Sequence, residues 1–460
     1  MNATNFATQD SSTPAEHNNP FLKGNFAPVA RELDASHLTV RGRIPPTLNG
    51  RLFRNGPNPA AAPDPNHYHW FLGEGMLHSI ELRDGAALAY RNRWVRTPPV
   101  CAALNEEPPA SFITNEAGMT TAANTHIIRH GGRLLALEEF SLPTQVSADL
   151  TTIGPYDFAG KLRGAMTAHP KVDPRSGELF FFGYSMRPPY LTVYRADASG
   201  TLTHARAIDL PTSVMIHDFA ITERYLVIMD LPVCFNSDAA QQGQFPFVWQ
   251  PSNGARMGLI PRNELDNPSG RDNIVWLDIE PCYVYHVFNA YDRDGEVVLD
   301  AIRYHSMFAD PANAGPDSQD LRHLTRWILN PTTRSATEQR FCPFERGDFP
   351  TIDERLVGRR HRYGYWSEPD AICKIDFDTQ CVQRHVVTPY QGLAEPLFVA
   401  DHATADEDEG WLLQVAYNPN TDSSDLLIFD AKNFGQAPVA IVHLPQRVPY
   451  GFHGSWMAGL

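Results

Sequence analysis

Positive charge is short in this sequence of 460 residues: Lys+Arg number 38 against 53 Asp+Glu, a formal charge of −15. Sequence-independent nucleic-acid binding needs clustered cations to displace counterions, so nucleic acid is excluded as a partner. Adhesion to anionic lipid by charge alone is excluded on the same ground. Cysteine is sparse and scattered: Cys101, Cys234, Cys282, Cys342, Cys373 and Cys381 form no C-x-x-C. They read as reduced thiols rather than a disulfide framework. No window approaches the roughly 18 continuous apolar residues of a spanning helix. The start, "MNATNFATQDSSTPAEHNN", lacks the basic and apolar segments of a secretory signal and reads as a disordered tail over residues 1–20. Long segments of 3.6-residue period are scarce, which argues against a helical bundle. These absences point to a cytoplasmic chain that at most rests on a membrane surface.

What is present is β-structure punctuated by turns. There are 38 prolines and 31 glycines. Short β-branched and aromatic runs recur throughout, among them "HIIRHGGRLLAL", "ELFFFGYS", "YLVIMDL", "WLLQVAY" and "DLLIFDA". Turn-formers join several into hairpins, as in "VDPRSGELFFF" and "YDRDGEVVL". Apolar residues at 42% suffice for a large core. The expected fold is all-β, one unit over residues 21–460. A β-propeller fits, since about seven four-stranded blades of roughly 40–60 residues fill that length. Residues 236–273 and 309–320 break the pattern and read as insertions on a propeller face.

Four of the 18 histidines have contexts that set them apart: His169 in "TAHPKVDP", His217 in "MIHDFA", His286 in "YHVFNAY" and His453 in "GFHGSW". Their separations of 48, 69 and 167 residues match neither a zinc finger nor an H-E-x-x-H helix. Widely spaced ligands are what a propeller supplies, one from each of several inner strands. Taken singly, each reads more readily as a core histidine satisfied by hydrogen bonds than as a ligand, and spacing alone does not overturn that.

An ordered series of motifs does. "NPFLKGNFAPV" (19–29), "RNGPNP" (54–59), "TAHPKVDP", "MIHDFAIT", "MDLP" (229–232), "EPLFVADHATADEDEGWLL" and "RVPYGFHGSW" (447–456) span nearly the whole chain outside the tail. In this the chain resembles the carotenoid cleavage oxygenases. The resemblance implies a seven-bladed propeller with loop and helical insertions forming a dome over the metal face. It implies one Fe(II) per chain held by His169, His217, His286 and His453, with dioxygen as co-substrate and no organic cofactor. Three carboxylates would orient three of the rings: Glu139 in "LALEEF", Asp348 in "GDFP" and Glu395 in "LAEPLF". Asp348 departs from the commoner glutamate and is one methylene shorter. Thr125 in "AANTHII" matches a threonine whose methyl crowds one coordination position. Leu72 and Glu74 stand where the family usually has aspartates, and nothing physical accounts for the change.

The implied reaction is cleavage of a conjugated double bond to two carbonyl products. Carotenoids or apocarotenoids are the expected substrates, and stilbenes or phenylpropenes the alternative. The stilbene subgroup holds a phenol with a lysine and a tyrosine. Here Glu138 occupies the lysine position and "SFITNEAGM" (111–119) has no tyrosine. A carboxylate repels a phenolate and cannot replace an ammonium. A non-catalytic propeller that binds a partner is the reading from another class. The segment "QFPFVW" offers Phe245, Phe247 and Trp249 as a membrane-dipping patch at a tunnel mouth, or as residues packed on the propeller.

Overall fold

The computed structural model describes residues 19–113, 121–242, 245–266, 273–309, 322–344 and 346–460. Seven antiparallel sheets of four or five strands succeed one another along the chain, joined by an extra two-stranded ribbon. This is the seven-bladed propeller expected. Residues 1–18 of the expected tail and 310–320 of the expected loop lie outside the described residues. Asn19 and Pro20 are held to the fold: the Asn19 amide donates to the carbonyls of Pro65 (2.9 Å) and Tyr68 (2.8 Å).

Hairpin chemistry sets the blades. Tyr283–Arg293 pairs with Glu296–Tyr304 across Asp294 and Gly295, at φ 49° and 87°. Both turn residues must be left-handed for the turn to match strand twist, and Asp-Gly adopts this at least cost. Blades stack face to face, so middle strands are covered on both sides. Leu179, Phe180, Phe181 and Phe182 are therefore all buried, with no polar alternation.

The ring closes with two exchanged strands. Gly454–Ala458, from late in the chain, pairs with Gly50–Pro57 of the first blade. Val40–Gly42, from early in the chain, pairs with Ala440–His443 of the last. Sheet order places Gly454–Ala458, His126–His130, Lys171–Val172, Ala220–Ile221, Tyr283–Arg293, Asp348–Thr351 and Leu397–Ala400 each at one edge of its blade. Every residue expected at the metal centre except Glu139 lies in one of these strands or within three residues before it.

One part of the expected 236–273 insertion belongs to a blade. Ala255–Pro261 pairs with Tyr225–Asp230. The prolines and glycines that obscure it sit at its borders: Pro251 in the preceding turn, Gly254 at φ 75°, and Pro261 as the last strand residue. The true extension is the ribbon of Val233–Phe235 with Phe247–Trp249, bearing the short helix Ser237–Gln241.

Candidate metal centre

His169, His217, His286 and His453 meet at one point. One nitrogen from each lies within 4.8 Å of those of the other three. His169 Nε2 is 3.0 Å from His217 Nε2, which is 3.2 Å from His286 Nε2. His169, His286 and His453 are buried and His217 nearly so.

The remote nitrogens explain the arrangement. His286 Nδ1 lies 3.0 Å from Asp348 Oδ1, and His453 Nδ1 lies 2.9 Å from Glu395 Oε1. His217 Nδ1 contacts Glu139 Oε1. An ionised carboxylate only accepts, so each of these Nδ1 atoms carries the proton and each Nε2 is a bare lone pair. In the neutral rings, lone pairs on His217 and His286 then face each other at 3.2 Å. A bound metal cation satisfies that geometry, and neutral imidazoles suit a transition metal. The residues present thus fit a four-imidazole metal site.

Each carboxylate has its own anchor. Glu139 Oε2 accepts from the Tyr184 hydroxyl at 2.9 Å. Glu395 Oε2 accepts from the Gly454 N–H at 2.8 Å, and the Arg54 guanidinium stands 3.6 Å away. Asp348 accepts from the Tyr304 hydroxyl and, at 2.8 Å, from the Phe349 N–H. The shorter side chain of Asp348 still reaches His286. The strand register breaks between Asp348 and Thr351, and Phe349 has φ 62°, unusual for a bulky residue. Such a bulge re-aims a side chain, which here offsets the missing methylene.

Burial first, then the neighbouring imidazoles, holds His169 and His453 well below the ordinary histidine range, so both stay neutral and able to ligate. Burial also acts to lower His286, but the Asp348 carboxylate outweighs it and the ring is raised. Burial, reinforced by the nearby carboxylates, holds the Tyr184 phenol far above its usual range. Burial does the same for Tyr304, with Asp348 adding to it against Arg322. Both remain hydrogen-bond donors.

The comparisons agree with this geometry. Residues 26–458 match the family model described as Retinal pigment epithelial membrane protein. A Mycobacterium tuberculosis protein named carotenoid cleavage oxygenase is 38% identical, across 96% of this chain and 98% of its own length. This chain belongs to the carotenoid cleavage oxygenase family. A Crocus sativus relative named carotenoid 9,10(9′,10′)-cleavage dioxygenase is 34% identical over 96% of this chain and 89% of its own. Among solved structures, a Pseudomonas brassicacearum lignostilbene dioxygenase superposes with TM-score 0.86 at 25% identity, covering 96% of this chain and 99% of that one. Cobalt-substituted Synechocystis ACO gives TM-score 0.82 at 27% identity, covering 94% and 97%.

Other expected residues of this oxygenase are placed as follows. Thr125 is buried one residue before an inner strand. Its carbonyl accepts the His453 N–H at 3.0 Å and its hydroxyl donates to Asn124 Oδ1 at 2.9 Å. Glu138 is spent on local structure, accepting from Phe140 N–H (2.6 Å), Ser141 Oγ (2.7 Å) and Thr121 Oγ1 (3.3 Å). In "SFITNEAGM", residues 114–119 lie outside the described residues. The expected membrane patch is only partly exposed. Phe247 is 3% exposed, and Trp249 is half-buried against the same core, because both lie in the ribbon strand that packs on the propeller. Phe245 alone of the three is well exposed, at 50%, its ring 4.6 Å from that of Phe308.

Sequence reasoning missed Tyr184, Tyr304, Arg54 and Phe349. Tyr184 and Tyr304 end strands whose apolar runs signal core and nothing more. Phe349 lies 5.5 Å from the His286 ring and 5.3 Å from His453. Its only trace was its place inside "GDFP".

Proposed function

We propose that this chain holds one Fe(II) on His169, His217, His286 and His453, and uses dioxygen to cleave one double bond of a carotenoid or apocarotenoid. The observation that carries the reading is the convergence of four imidazoles, three of them locked as Nδ1–H tautomers by Glu139, Asp348 and Glu395. Fe(II) held there would supply dioxygen activation, the net change being one oxygen atom of O2 delivered to each alkene carbon and two carbonyls in place of the C=C. The protein's own groups fix and shield. The carboxylates hold the rings in one orientation and raise their basicity. Phe349 against His286 and His453, and Tyr285 with its ring 5.0 Å from His217, keep water from the ligand rings. Thr125, whose hydroxyl donates to Asn124, is assigned the role of crowding one coordination position with its methyl, as the resemblance implies.

The relatives named for carotenoid cleavage favour a polyene substrate. The fold likeness to a lignostilbene dioxygenase favours a stilbene. Against the stilbene stands Glu138 at the lysine position: its carboxylate, spent on Phe140 N–H, Ser141 and Thr121, offers a phenolate no cation. Incubation with β-apo-8′-carotenal and with resveratrol, followed by chromatography and metal analysis, tests the reading. Aldehydes from the polyene and about one iron per chain are expected. Cleavage of resveratrol alone selects the stilbene reading. Absence of both metal and oxygen uptake returns the chain to a non-catalytic propeller.

Substrate this apolar is drawn from a lipid surface, and exposed Phe245, its ring packed 4.6 Å from that of half-buried Phe308, is the aromatic suited to touch one. Among the described residues no helix is long and apolar enough to cross a membrane. Phe245→Ser is expected to reduce flotation with phosphatidylcholine liposomes; equal flotation refutes the contact.

A further inference from the structure

The four ligands ride on four separate segments, and neighbouring segments are tied to one another by protein groups. Lys171, two residues past His169, places Nζ 2.7 Å from Asp218 Oδ1, next to His217. Asp218 Oδ2 accepts the N–H of Val287, next to His286, at 3.0 Å. The Phe349 ring spans His286 and His453. The remaining pair, His169 and His453, is joined by a fifth histidine.

His126 begins the inner strand His126–His130. Its Nδ1 is 2.9 Å from the carbonyl oxygen of Ala168, next to His169. Its Nε2 is 3.2 Å from the carbonyl oxygen of Gly454, next to His453, and 3.2 Å from Ser455 Oγ. Whichever nitrogen carries the proton, the ring contacts both segments. The ring itself is 5.3 Å from that of His453 and 6.4 Å from that of His169. It stays outside the convergent group of four. Its own position is fixed: Asn55 Nδ2 donates to the His126 carbonyl at 2.9 Å, and the carbonyl just before it, on Thr125, accepts the His453 N–H at 3.0 Å.

We infer that His126 is a positioning residue of the metal centre, a rigid strut that sets the separation of the His169 and His453 segments. It is neither a ligand nor a partner of a ligand's ring nitrogen. With Nδ1 protonated the ring donates to the Ala168 carbonyl while its Nε2 faces Ser455 Oγ, so it is lodged between the two ligand segments and holds the lone pairs convergent before metal arrives. The inference rests on the metal-centre reading given above.

The test is titration of metal-free protein with Co(II), followed by its visible ligand-field spectrum and by calorimetry, so that no turnover is needed. His126→Phe keeps ring volume and loses both nitrogens. Its Co(II) affinity is expected to fall about 10–100-fold, the range seen when groups that orient ligands are removed. Its Co(II) spectrum should shift, while the metal-free protein melts within a few degrees of wild type. His126→Gln, which still offers an amide to a backbone partner, should recover most of the affinity. Should His126→Phe fail to fold, His126→Asn takes its place, with an intermediate loss expected. Wild-type affinity together with a wild-type spectrum in His126→Phe or His126→Asn overturns the inference. Failure of the wild-type protein itself to bind Co(II) would instead overturn the metal-centre reading.

Discussion

Replacing Asp348 separates its service to the metal from its service to the fold. Its carboxylate accepts from His286 Nδ1, from the Tyr304 hydroxyl and from the Phe349 N–H. Asp348→Ala removes the acceptor of all three. The His286 ring then loses both its tautomer lock and its orientation, and metal affinity should drop about 10–100-fold, or about 1.4–2.8 kcal/mol. Two donors, the Tyr304 O–H and the Phe349 N–H, are left without this acceptor, at about 1–3 kcal/mol each where water cannot reach them. The metal-free protein should therefore also unfold at lower denaturant. Asp348→Asn keeps one acceptor oxygen but turns an amide NH₂ toward a second donor, so an intermediate loss is expected. Asp348→Glu should keep metal bound, with the added methylene taken up at the bulge around Phe349. Anaerobic calorimetric titration of each metal-free variant with Fe(II), beside guanidinium unfolding, reads the two effects independently. An Asp348→Ala protein that unfolds early yet binds metal with wild-type affinity would refute the assigned role.

Three further outcomes are expected. His286→Ala should lose metal and turnover together while remaining folded, since its strand neighbours Val287 and Phe288 stay buried; full metal content with full turnover would overturn the ligand assignment. Asp300→Ala breaks the buried bidentate pair with Arg326 (2.7 and 2.8 Å) and strands a guanidinium, which should cost about 3–5 kcal/mol in a denaturant titration; an unchanged midpoint would refute this. Burial, then the cations Arg54 and Arg326 respectively, holds His78 and His361 at about 3, against an ordinary 6.5. Between those values the unfolded chain binds protons the folded one refuses. Stability should be full above pH 6.5 and fall by about 1.4 kcal/mol per unit for each ring as pH drops below it. His78→Gln should flatten that slope, and an unaltered slope in guanidinium titrations at pH 7, 6 and 5 would refute the assignment.

The four candidate ligands were readable only through the ordered motifs that carry the family resemblance, and the propeller because its strands are short and regularly punctuated. Other parts were hidden for physical reasons. The Asp348 contact depends on a left-handed Phe349, a backbone choice that no residue type announces. The anchoring roles of Tyr184 and Tyr304 depend on which strand end faces which carboxylate, and so on blade packing. The strand Ala255–Pro261 was masked by turn-formers at its own borders. Phe245, Phe247 and Trp249 look alike as sequence, and only their pairing with Val233–Phe235 separates the exposed ring from those that pack.

The exchange of strands between first and last blades has a consequence for biogenesis. His453 stands one residue before Gly454–Ala458, the strand that shuts the first blade. On a ribosome, the nascent polypeptide acquires three imidazoles while the circle is still open, and the fourth emerges with the very segment that seals it. The group of four imidazoles is thus complete only once that last strand has joined the first blade.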